Sequence, residues 1–222
     1  GKAAPSGLKG VSGLDGALSD RPTFTLHGDF SLNCTNAITG RILLGLGLLG
    51  AWCYEYLKRR RTNGPESFWP GTSSAPWQAS LLIASVMILI TIAETAVEHR
   101  FGVTAQQSTI APSFLLAMLG ASVIEEAVFR GFTAPSYFGG RKLLALILIG
   151  SVVFSAIHGF DLQSTQGRIS AIFAFVTSIW LYLARFNPLN PERSLIPCFT
   201  GHAVRNLAVF GVKWAQGFIN WN

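Results

Sequence analysis

The sequence predicts an all-α integral membrane protein, a polytopic bundle of about six transmembrane helices. Three observations support this. Half of the 222 residues are hydrophobic and only 13% are charged, whereas a typical soluble domain carries about 25% charged residues. The mean hydropathy is +0.40. The apolar residues gather into runs near the length of roughly 20 residues that a spanning helix needs. A chain with so little polar surface cannot cover itself against water, and nothing in it marks a linker between two globular domains.

Residues 1–37 read as a polar N-terminal arm, rich in Gly, Ser and Leu and poor in acids. Its apolar content cannot support a core, and terminal segments stay poorly ordered unless something holds them. The expectation is that the arm meets a protein partner or lies across the loops. The chain begins Gly-Lys-Ala-Ala-Pro without methionine, which fits a trimmed chain or an imported organellar protein (plastid or other), with a bacterial inner membrane as the alternative.

Residues 38–78 comprise a first transmembrane run, Ile38–Tyr56, and a basic loop opened by Lys58, Arg59, Arg60 and Arg61. Gly45, Gly47 and Gly50 in that run suit close helix approach. Residues 79–222 supply five further runs: Ala79–Ala96, Ser113–Phe132, Leu143–Phe160, Ile169–Phe186 and Ile196–Ile219. Pro76 and Pro112 precede the second and third, and Asn-Pro-Leu-Asn-Pro at 187–191 breaks the chain before the sixth. The loops after the first, third and fifth runs hold Lys58 to Arg61, Arg141, Lys142, Arg185 and Arg193, against Arg100 and Arg168 after the second and fourth. Positive loops stay on the cytoplasmic, stromal or matrix side, which puts the N-terminus on the opposite side, while Lys2, Lys9, Arg21 and Arg41 count against that orientation. The net charge of +6 is thus a topology signal, and no nucleic-acid partner is implied. Cys34, Cys53 and Cys198 are far apart without CxxC spacing, so they read as small apolar residues.

Ionisable residues inside spans are costly and functional by default. Here they fall in three runs. The third carries Glu125, Glu126 and Arg130, the fourth ends on His158, and the sixth carries His202, Arg205 and Asn206. Glu126 and Arg130, four apart, share a helix face and can pair. Glu125 is turned about 100° from Glu126, toward a different environment. His202 and Asn206 are also four apart, and Phe154 sits one turn before His158. A carboxylate, two imidazoles and an amide donor are the groups needed to activate water and stabilise an oxyanion.

Glu125-Glu126-x-x-x-Arg130, Phe154-x-x-x-His158 and His202-x-x-x-Asn206 together resemble the motif set of the CPBP intramembrane protease family, which includes the type II CAAX prenyl endopeptidases and bacteriocin-processing proteins. The resemblance covers about residues 79–215, and Phe129 and Gly131 fit it as well. It implies an endopeptidase acting on a peptide or protein substrate in the lipid bilayer. Glu125 would be the general base, His158 would orient the water, His202 and Asn206 would be oxyanion donors, and Glu126 with Arg130 the supporting ion pair. Glu125, His158 and His202 could also hold zinc or another divalent metal with water in the fourth position. A metal-free glutamate mechanism is equally open, and without HExxH the zincin arrangement is excluded.

Plainer structural readings exist for the same residues. Glu126 and Arg130 would neutralise buried charge, while Glu125 with His158, and His202 with Asn206, would fix helix packing. Arg205 reads as a snorkelling or partner-facing residue, the group Glu94, Glu98 and His99 as a solvated helix end, and His27 carries no signal. The competing function is a non-catalytic scaffold or accessory subunit of a larger membrane complex.

Overall fold

The computed structural model describes residues 29–62, 68–104 and 109–221, with side chains from Asn36 onward. The chain divides after Thr35, and the unit Asn36–Asn222 carries the bundle. His27 and the arm as far as Gly28 lie outside the described residues, as does the partner contact expected of them.

Six helices follow one another: α1 Asp29–Thr62, α2 Trp77–Arg100, α3 Phe114–Glu125, α4 Gly140–Ile157, α5 Thr165–Phe186 and α6 Ile196–Ala215. α3 runs directly into a π-helical segment, Glu126–Phe132. The first helix starts at Asp29 rather than Ile38. Among the described residues there is no strand, only an isolated bridge between Ile110 and Ile219.

Four helical stretches, Asn36–Thr62, Trp77–Arg100, Gly140–Ile157 and Thr165–Phe186, are long and apolar enough to cross a membrane. The remaining two of the six helices are shorter or more polar. α3 has only 12 residues before the π segment, and α6 carries His202, Arg205 and Lys213 along its length. α6 is flanked by α2, α3 and α5, so its polar groups face other helices.

The surface confirms an integral membrane protein. Leu46, Leu89, Ile149 and Ile172 are each more than 60% exposed, while Glu126, Arg130 and Arg185 are fully buried. Apolar outside and charged inside is the pattern of a bundle solvated by lipid. The apolar core joins Trp52, Ile83, Met87, Ile90, Leu181 and Cys198. Cys198 and Cys53 are free. Gly45 meets Gly120 so closely that a Cβ on it would lie 2.6 Å from the Gly120 backbone, whereas Gly47 and Gly50 face open space. Close packing of α1 on α3 thus uses one of the three expected glycines.

One end of the bundle is closed. Leu195 N donates to Gly71 O at 3.0 Å, Ser73 Oγ to Glu192 O at 2.9 Å and Ser194 Oγ to Ser73 O at 2.6 Å. Arg185, expected as a loop charge, is buried there and donates to Gly131 O and Ala134 O at 3.2 and 2.7 Å. Gly71 has φ +63°, and a Cβ on it would lie 2.7 Å from Leu195 Cγ. Gly71→Ala is therefore expected to lower stability by about 1–3 kcal/mol, measurable as reduced thermal stability in detergent.

Candidate active site

The polar centre is built where α3 gives way to the π segment. Thr133 N bonds Val128 O, five residues back, the spacing of a π turn, which is frequent at functional sites. Glu126 opens this segment and Arg130 lies within it, both fully buried. Arg130 Nη1 donates to Glu126 Oε1 at 3.1 Å. Its Nη2 donates to Ser178 Oγ and O on α5, at 2.6 and 3.1 Å. The guanidinium sits 4.6 Å from the Phe154 ring centroid and 4.7 Å from that of Tyr182. Cation–π contacts of this kind offset part of the cost of burying a charge.

Glu126 does more than neutralise Arg130. Its Oε1 also accepts from His202 Nδ1 at 2.7 Å, because a carboxylate can only accept. That fixes the imidazole: Nε2 accepts when the ring is neutral and donates when it is the imidazolium. Nε2 lies 3.8 Å from Glu125 Oε2. This is too long for a direct hydrogen bond and within the reach of one bridging water. Glu125 Oε2 is buried and has no hydrogen-bond partner. The two adjacent carboxylates, turned apart on their helix, thus reach opposite nitrogens of one histidine.

A cavity of about 320 Å³ runs beside His202, with Phe154, His158, Thr177, Arg205 and Asn206 among its lining residues. Glu125 is not on its wall; it stands at the far nitrogen of His202. His158 caps α4 and is exposed. Its Nδ1 meets Phe154 O at 2.7 Å, so Nδ1 carries a proton, and Nε2 is an acceptor when the ring is neutral. Phe154 and Phe160 flank the His158 ring, with centroids at 4.7 and 5.5 Å. Asn206 Nδ2 donates to Met118 O at 2.9 Å, which leaves one amide N–H uncommitted in that bond.

The structure corrects the reading of α2. Glu94 and Glu98 do not form a solvated helix end: both line the cavity, and Glu98 is 6% exposed. His99 alone is exposed. Arg205 does not snorkel. It is buried, pairs with Glu94 and donates to Thr91 Oγ1 at 3.3 Å. The signal was present in the sequence as Thr91, Glu94, Thr95 and Glu98, a polar stripe at helical spacing on an apolar span. Glu94→Gln is expected to loosen α2 from α6 and cost about 1–2 kcal/mol, the scale of interhelical polar contacts in membranes. Thermal unfolding of this variant beside Glu94→Gln/Arg205→Gln checks that the loss runs through Arg205.

Among the described residues no group of three or more His, Cys, Asp and Glu is placed to hold a metal ion.

Residues 107–208 match the family model of type II CAAX prenyl endopeptidases, Rce1-like. Over this stretch the chain is similar to that CAAX protease family. No curated protein and no solved structure matches the chain. The Rce1-like segment contains Glu125, Glu126, Arg130, Phe154, His158, His202 and Asn206, and ends two residues after Asn206. α1 and α2 lie outside it, so the Glu94–Arg205 pair joins the Rce1-like segment to a helix the family match does not cover.

Proposed function

We propose that the protein is an intramembrane endopeptidase that hydrolyses a peptide bond with water activated by Glu125. The observation that supports this best is the orphaned Oε2 of Glu125, buried 3.8 Å from Nε2 of His202. A buried polar atom without a partner calls for an explanation, and a water held between these two groups supplies one. Glu125 takes a proton from that water as its oxygen attacks the scissile carbonyl, then returns the proton to the leaving amine. Asn206 donates to the developing oxyanion, joined by His202 Nε2 when the ring is the imidazolium. His158 offers Nε2 as a second acceptor for the water.

Glu126 and Arg130 act through His202: they hold its Nδ1 proton and its orientation. The route uses the chain's own groups and needs no metal. Treatment with a divalent-metal chelator is expected to leave the cleavage rate unchanged, and a loss restored by added zinc would contradict this. Peptide release by the wild type and by Glu125→Gln tests the activity itself. A wild-type protein that is folded and cuts no peptide bond would favour the non-catalytic subunit.

A further inference from the structure

The two ends of the bundle differ, and the cavity reaches only one of them. Its lining runs from mid-helix positions, Thr91, Thr177 and His202, to Glu98, His158 and Lys213 at helix C-termini. Along α6 alone, from His202 to Lys213, that is about 16 Å at the helical rise. The other end is closed by the hydrogen-bonded loops around Gly71–Ser73 and Asn190–Leu195, with Thr72, Ser194 and Leu195 fully buried. Charge divides the same way. Among the described residues, Lys58, Arg59, Arg60, Arg61, Arg141, Lys142 and Arg193 sit at the closed end, and Arg41, Arg100, Arg168 and Lys213 lie toward the open one.

Basic loops are retained on the cytoplasmic, stromal or matrix side. We infer that the cavity is sealed toward that side and opens on the opposite face of the membrane, so that its substrate is a peptide segment presented from the non-cytoplasmic side. The substrate half of this inference rests on the endopeptidase reading; the sidedness rests on geometry and charge alone. A peptide reaching Glu125 and His202 passes along the α2–α6 wall, where Glu94 is paired with Arg205 and Glu98 lies within Coulombic reach of Lys213. A tail confined to the cytoplasmic face meets the closed end.

The test is labelling of single added cysteines with a membrane-impermeant maleimide, in right-side-out and inverted vesicles from a bacterial host, with the unsubstituted protein as blank. Gln163→Cys and Phe101→Cys mark the open end; Lys142→Cys and Arg61→Cys mark the basic end. All four positions are exposed, and two per end guard against one misfolded variant. Labelling of Gln163→Cys and Phe101→Cys only in right-side-out vesicles, with the other two labelled only in inverted ones, is expected. The reverse pattern overturns the sidedness. A second arm adds an impermeant peptide to one side of oriented proteoliposomes. Cleavage only from the cavity side supports the inference, and cleavage from the basic side overturns it. The expected labelling with no cleavage from either side supports the sidedness and counts against the endopeptidase reading.

Discussion

Glu126→Gln is expected to lower the stability of the protein by about 3–5 kcal/mol, the usual consequence of removing one partner of a fully buried ion pair. Both side chains are 0% exposed, so water cannot replace the lost charge. Arg130 keeps its bonds to Ser178 and its place between Phe154 and Tyr182, but none of these partners carries a negative charge. The same substitution weakens the hold on His202, since Oε1 accepts its Nδ1 proton. Thermal unfolding in detergent measures the first effect. Unchanged stability would mean that the neutral partners alone satisfy Arg130.

Glu125→Gln is expected to behave in the opposite sense. Glu125 Oε2 makes no hydrogen bond within the protein, and its side chain is 23% exposed, so loss of its charge strands nothing. Stability should hold while the rate of peptide hydrolysis falls about 10²–10⁴-fold, the range of a general-base contribution. Two neighbouring glutamates would then separate cleanly, one structural and one chemical.

Much of this was legible in the residues. Apolar runs marked all six helices, and the polar residues inside three of them marked the parts of the centre. The i,i+4 spacing foretold the Glu126–Arg130 pair found at 3.1 Å. The π segment was not legible, since an i+5 backbone bond leaves no signature in residue type. The placing of both glutamates about His202, Glu126 bonded to it and Glu125 3.8 Å away, depends on how α6 packs against α3, a tertiary fact. Arg205 was misjudged because its partner lies 111 positions away on α2. Glu94 looked like a helix end only because the rest of α2's polar stripe was not read with it.

The most direct test is product formation from a peptide substrate in reconstituted membranes, measured for the wild type and Glu125→Gln at equal amounts of folded protein. Cleavage by the wild type with a loss of about 10²–10⁴-fold in the variant, at unchanged melting temperature, is the predicted result. Equal rates for the two proteins would remove Glu125 from the chemistry and contradict the proposed mechanism.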